Sequence, residues 1–356
     1  MEMLFIPQAD TIPVSWGWFH FLLLLTFPLH LLAMNAMIGG LAIGIVQHLQ
    51  GGEVRRELAH RIALALPLVI AFTVNFGVAP LLFLQVLYGQ FMYTSSILIG
   101  LFWILVVPVL ITAYYGAYLY DFRFKALGAV GPWLALVVLL LFLAIGFMFS
   151  SNMQLMALPE QFAVYFDHRG GTYLPTDEVS LWPRYLHMML GALAIGGLFV
   201  ALLGKVGPGK NRQLAEHAGR LGLRTFLVLT LVNTLAGIWY LLSLPRELML
   251  LFMGGNWGAT AAFVLALLLL AGALWAAVKG RFWSTFWHAI ALVVVMTLMR
   301  SWLRSGYLQE FFTLDQLQVV PQYSPMLLFF IILAGGIVTV AWMINKTVEA
   351  FRQENI

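Results

Sequence analysis

Two histidines stand inside apolar runs, His187 in WPRYLHMMLGALAIGG (residues 182–197) and His30 in TFPLHLLAMNAMIGG (residues 26–40). An imidazole in hydrocarbon needs a hydrogen-bond partner or a metal. A bond to a neighbouring helix explains a single such residue. The competing chemistry is haem ligation, because Gly191, Ala192, Ala194, Gly196 and Gly197 strip one face of bulk, as a flat macrocycle or a close helix requires. A second segment of the same kind favours the haem. The chain has no cysteine, which removes disulfides, thiolate zinc, chain-held iron–sulfur clusters and covalent c-type haem, so any metal here is held by His or Met.

These histidines must be positioned by membrane helices. The 356 residues are 62% hydrophobic and 10% charged, with a mean hydropathy of +0.91, which describes an all-α polytopic membrane protein. About nine transmembrane spans are expected, at about 28–48, 62–87, 95–119, 129–151, 182–204, 223–244, 258–279, 284–304 and 325–346, in one transmembrane domain covering 1–356. Pro28 is expected to divide the apolar run that extends from Trp16 to about Gln47, serving as the first helical residue of span one, with the segment WGWFHFLLLL (residues 16–25) before it lying at the interface. The segment Tyr88–Ser96 reads as an uncharged loop. The N-terminus lacks a basic stretch and a small-residue cleavage site, so no removable signal peptide is expected.

Basic residues gather in alternate loops: Arg55, Arg56 and Arg61; Arg123 and Lys125; Lys205, Lys210, Arg212, Arg220 and Arg224; Lys279 and Arg281; Lys346 and Arg352. The positive-inside rule then puts the N-terminus outside and the C-terminus in the cytoplasm. His187 falls roughly 7 Å into the fifth span at 1.5 Å per residue, and His30 within the first turns of the first span, so both lie toward the outer face. His20, His48 and His288 read as interfacial or snorkelling residues, and His60 and His217 as members of basic loops. No inverted repeat is legible, and an odd span count does not suggest one. The net charge of +4 belongs to the inside loops and implies no nucleic-acid partner. Every Asp and Glu falls in a loop, a tail or a span boundary, and a proton relay through the membrane ordinarily needs one within a span.

LTFPLHLLAMNAMIGG, VNFGVAPLLFLQVLYGQF, FSSNMQLMALP and PRYLHMMLGALAIGG together resemble helices one, two, four and five of the haem-bearing subunit I of the cytochrome bd quinol oxidase superfamily. The resemblance implies nine spans with the N-terminus outside, a bacterial inner (cytoplasmic) membrane, and His30 and His187 as haem ligands. The chain departs from that family at its oxygen site. Its third span meets no acid before Asp121, its eighth carries Met299 and Arg300 where the family has a glutamate, and the quinol loop after the sixth helix is reduced to SLPRELMLLFMGGNWG. The methionine that the family carries on its seventh helix has no counterpart in GATAAFVLALLLLAG.

The expectation is therefore a membrane b-haem electron-transfer subunit of a cytochrome bd-like oxidoreductase that does not reduce oxygen. It holds one or two haems b and passes electrons between the quinone pool and an outer-face c-type cytochrome or another redox partner, within a complex of further subunits. His30 and His187 are the axial ligands, with Met253, Met299 or a second histidine on the other side of the iron. Arg184, Arg300 and Arg304 lie at the outer ends of their spans, where they pair with haem propionates or anchor the interface. The alternatives are a haem-free quinone-binding anchor of the polysulfide-reductase type, a degenerate quinol oxidase subunit, and a structural or transport subunit whose histidines only pair helices.

Overall fold

The computed structural model describes residues 5–206 and 211–353. Among them nine helices are long and apolar enough to cross a membrane: α1 (Trp16–Gln50), α2 (Glu53–Leu98), α3 (Gly100–Phe122), α4 (Gly131–Leu155), α5 (Leu181–Val206), α6 (Arg212–Ser243), α7 (Trp257–Val278), α8 (Phe282–Leu308) and α9 (Tyr323–Gln353). Apart from one isolated bridge between Ile12 and Val319 and the bonds that tie Leu101 N–H to Gly171 O and Tyr173 N–H to Leu98 O, most of the described backbone is paired within helices and turns. Hydrocarbon, which offers no hydrogen bonds, demands this.

Two boundaries differ from those read in the sequence. Helix α1 runs unbroken from Trp16, with Pro28 in its interior, so Pro28 does not begin the helix and His30 is not in its first turn. A proline inside a membrane helix is tolerated where neighbouring groups take up the freed backbone positions. The expected loop after span two is also helical: α2 bends at Tyr88 (φ −137°, ψ 34°) and continues to Leu98. Gln90, Phe91, Met92, Ser95 and Leu98 of this extension are all buried, so tertiary packing overrides its weak apolar signal.

The helices pack as two similar sets of four. Helix α1 packs on α2 as α5 does on α6, and α3 on α4 as α7 does on α8. The sets meet where α1 and α5 cross. A Cβ on Gly39 would lie 2.7 Å from Gly196 Cα, and one on Gly196 would lie 2.3 Å from Gly39 Cα. This mutual contact relates the two sets by an approximate twofold, and four spans per set make the repeat parallel rather than inverted. The sequence carries its trace, since Leu29-His30 and Ile38-Gly39-Gly40-Leu41 recur at the same spacing as Leu186-His187 and Ile195-Gly196-Gly197-Leu198. Helix α9 stands apart, with its described side chains from Leu327 to Met343 almost all exposed.

Small residues make the interior of this body. Ala63, Ala113, Ala117, Ala135 and Ala192 are fully buried between α1, α2, α3, α4 and α5, around Ile38, Leu41, Ile70 and Tyr120. Between apolar helices in lipid there is little hydrophobic drive, so close backbone approach and dispersion supply the packing.

Candidate functional site

His30 and His187 sit in matching seats. The Nδ1 of His30 lies 2.9 Å from the carbonyl oxygen of Thr73 on α2, and the Nδ1 of His187 lies 3.2 Å from that of Asn233 on α6. A carbonyl oxygen only accepts, so each ring donates from Nδ1, and each neutral imidazole carries its lone pair on Nε2. Neither Nε2 has a hydrogen-bond partner among the described residues. Four residues beyond each carbonyl is a glycine. A Cβ on Gly77 would meet Nδ1 and Cε1 of His30 at 2.8 Å, and one on Gly237 would meet Cε1 of His187 at 2.9 Å. The partner helices thus provide a hydrogen-bond acceptor and, one turn on, the gap that admits the ring.

The shared spacing also fixes depth. Each histidine stands nine residues before its crossing glycine (39 − 30 and 196 − 187), so the crossing places both at the same level relative to each other. Both rings are half-buried. Metal-bound imidazoles almost always donate their other N–H to a carbonyl, carboxylate or water, which holds the tautomer and aims the ring. His30 and His187 have that second bond in place.

The other histidines are seated differently. His288 donates Nδ1 to Ser284 O at 2.7 Å on its own helix, and a Cβ on Gly272 would fall 2.7 Å from its Nε2, so the nitrogen that would bind a metal is covered by α7. It fills a helix interface and does not snorkel. His48 is only 8% exposed, bonds Tyr120 Oη at 3.1 Å and stacks on Phe124, which corrects its reading as an interfacial residue. His20 bonds Ser301 Oγ at 2.9 Å.

The three arginines lie near one another but differ in their partners. Arg184 donates Nη1 to Gln154 Oε1 and Nη2 to Ser150 O, both at 2.8 Å, while Gln154 Nε2 donates to Ser180 Oγ at 3.0 Å. It is committed to the end of α4, where Asn152 also bonds Ser95 and Ser96. Arg300 and Arg304, one turn apart on α8, have no carboxylate partner among the described residues, where both ion pairs are Arg61–Glu57 and Arg212–Glu216. Arg300 lies 4.9 Å over the Phe27 ring and Arg304 5.3 Å over Tyr88, and Phe27 in turn stacks on His30 with centroids 6.3 Å apart. Arg300, a half-buried cation without an acid, therefore borders the His30 seat, with Arg304 one turn further along α8 beside Tyr88.

The two methionines are elsewhere. Met299 packs with Ala262, Ala266 and Val295 between α7 and α8, and Met253 is 48% exposed in the turn before α7. Among the described residues no three His, Asp or Glu side chains gather as a metal site. One further feature marks the His187 seat: Asn233 Oδ1 is buried without a partner, and its Nδ2 is 3.2 Å from where a Cβ on Gly191 would be.

The spacing that betrays the repeat, Leu-His followed after seven residues by Ile-Gly-Gly-Leu, was available in the sequence and is the signal that pairs the two histidines. The seats of Thr73 with Gly77 and Asn233 with Gly237 were not, because a carbonyl acceptor carries no side-chain signature. No family model and no curated protein matches this chain.

Proposed function

We propose that the chain is the b-haem electron-transfer subunit of a membrane oxidoreductase resembling the cytochrome bd superfamily, with His30 and His187 as axial ligands of two haems b. One observation carries the reading: both histidines donate Nδ1 to a backbone carbonyl on the next helix, rest against a glycine one turn on, and leave Nε2 without a partner. A b haem bound there supplies one-electron redox chemistry. The protein's part is to hold each imidazole in a single tautomer, to keep bulk off the ring through Gly77 and Gly237, and to offer Arg300 and Arg304 to the propionates on the His30 side. Arg184 acts indirectly, by securing the end of α4. Because each ring lies on its own partner helix, the two histidines serve separate sites.

Loop charge supports an N-terminus outside and a C-terminus in the cytoplasm of a bacterial inner membrane, so both haems lie toward the outer face. That depth suits exchange with the quinone pool and with a c-type cytochrome on the outer surface, within a complex of further subunits. The lack of a carboxylate within any span argues against oxygen reduction.

The test is the visible spectrum of the purified protein and its variants. Dithionite reduction gives a b-type α band with two haems per chain. His187→Ala removes one and His30→Ala the other, with the two losses spectrally distinct and membrane insertion unchanged, since apolar length and loop charge govern insertion. A colourless wild-type protein sinks the reading and leaves a haem-free quinone-binding anchor; loss of one common haem in both variants replaces two sites with one shared site.

A further inference from the structure

The two seats are alike where they hold the ring and unlike one turn further into the membrane. On α6, Thr230 Oγ1 and Asn233 Oδ1 are buried without a hydrogen-bond partner among the described residues, and Thr230 is only 7% exposed. Contacts with α5 fix the face they share. A Cβ on Gly197 would come 2.9 Å from Phe226 N, one on Gly191 3.2 Å from Asn233 Nδ2, and one on Gly237 would strike the His187 ring. Thr230 falls between Phe226 and Asn233 on that face, at the level of Ala194.

The first seat is filled at this level. The offset that carries His30 to His187 carries Met34 and Met37 to Gly191 and Ala194, and the offset that carries Thr73 to Asn233 carries Ile70 to Thr230. Met37 and Ile70 are buried in the apolar core of the first set, with Met34 packed against it. The Thr73 hydroxyl is spent within its own helix, donating to Val69 O at 2.8 Å. Where one set places three large apolar side chains, the other places two small residues, a hydroxyl and an amide.

The chemistry of those two atoms defines what sits between them. Oδ1 only accepts, whereas a hydroxyl donates or accepts, so the occupant must give a proton to the amide and give or take one at the hydroxyl. Side chains three residues apart on a helix are separated by about 5–6 Å at Cβ, which one small molecule spans with two hydrogen bonds of about 2.8 Å. A water meets both conditions, and buried waters characteristically serve two to four polar groups that would otherwise go unpaired.

We propose that an internal water is held between Thr230 Oγ1 and Asn233 Oδ1 beside His187, in a pocket whose counterpart at His30 is filled by Met34, Met37 and Ile70. The amide that holds the water also lies against the His187 ring, so the pocket belongs to that ring's surroundings. Its consequence rests on the haem reading above. The oxidised state of a centre at His187 carries one more positive charge than the reduced state, and a polar pocket stabilises it, so this centre has the lower potential of the two. Electrons then pass from the His187 side to the His30 side.

Thermal unfolding and redox titration of the purified full-length protein in detergent test both steps. Thr230→Val keeps the shape of the side chain and removes the hydroxyl. If the hydroxyl were a bare orphan the variant would gain stability, but a hydroxyl that holds a water leaves its partners unpaired when it is removed. A lower unfolding temperature is therefore expected, with Thr230→Ser unchanged. In the titration Thr230→Val raises the midpoint potential of the haem that His187→Ala removes, by about 59 mV for a tenfold shift in the one-electron equilibrium, and leaves the other haem unmoved. Should Thr230→Val fold poorly, Asn233→Thr, which installs the residue of the first seat and keeps the main-chain acceptor, is expected to raise the same potential. Equal or greater stability of Thr230→Val overturns the water, and unmoved potentials in the folded variants overturn the ranking of the two centres. The proposals separate cleanly: a colourless protein that Thr230→Val destabilises keeps the water and loses the haem, whereas a two-haem protein that Thr230→Val stabilises keeps the haem and loses the water.

Discussion

Two glycines do as much for the candidate site as the histidines they face. The ring of His187 can lie on α6 only because Gly237 has no side chain, and a methyl group there would sit 2.9 Å from Cε1. Overpacking of this kind costs about 1–3 kcal/mol. Gly237→Ala is therefore expected to push the imidazole off the Asn233 carbonyl and to lower haem occupancy or shift its midpoint potential, while Gly219→Ala on the same helix, which meets nothing within 4 Å, leaves both unchanged. Redox titration of the two variants checks this, and equal behaviour would count against the seat. At this scale the sequence was informative about which residues carry chemistry and silent about their partners. His30 and His187 stood out because imidazoles are costly in hydrocarbon, whereas Thr73 and Asn233 act through main-chain atoms that every residue owns. Arg300 and Arg304 could be picked from their place near a span end, but only the fold separates them from Arg184, whose partners on α4 lie 30 and more residues away in the chain.

The helices themselves were read with less loss, because a bilayer writes its thickness into apolar length. The errors came where a second influence competed. Pro28 looked like a helix start, yet α1 continues through it for the whole of Trp16–Gln50, and the polar stretch after Tyr88 looked like a loop, yet its Phe91, Met92 and Leu98 are buried against Ile12, Phe162 and Phe312. The α1–α5 crossing is the element-level contact least able to yield. A Cβ on Gly39 would come 2.3 Å from the Ala192 carbonyl oxygen, and backbone cannot swing aside as a side chain can. Gly39→Leu or Gly196→Leu should abolish folded protein, judged by size exclusion and thermal unfolding in detergent. Gly335→Leu on α9, with nothing within 4 Å, should leave the unfolding temperature within a degree or two. Loss of folding in the α9 variant and not in the crossing variants would reverse this ranking.

For the whole molecule, the missing intramembrane acids carry the firmest expectation. Oxygen reduction consumes protons at a buried site, and a route for them needs ionisable groups within the spans. Supplied with a reduced quinol, the purified complex should reduce a soluble c-type cytochrome and take up no oxygen beyond the control; rapid cyanide-sensitive uptake lost in His30→Ala would restore the oxidase reading. Topology offers an independent check. A chain ended after Gln322 lacks α9 and should keep the spectrum of the full protein while moving a C-terminal alkaline phosphatase fusion from the inactive cytoplasmic side to the active outer side. The twofold at Gly39 and Gly196 has a historical consequence. Two like units meeting about such an axis are what a homodimer leaves when its two genes become one. In a homodimer every substitution strikes both sites at once, but in a fused chain each half drifts alone. The two seats already differ, one having Arg300 nearby through Phe27 and the other the buried amide of Asn233, so under the function proposed above the two halves are free to set different potentials and hence to give electron flow a direction.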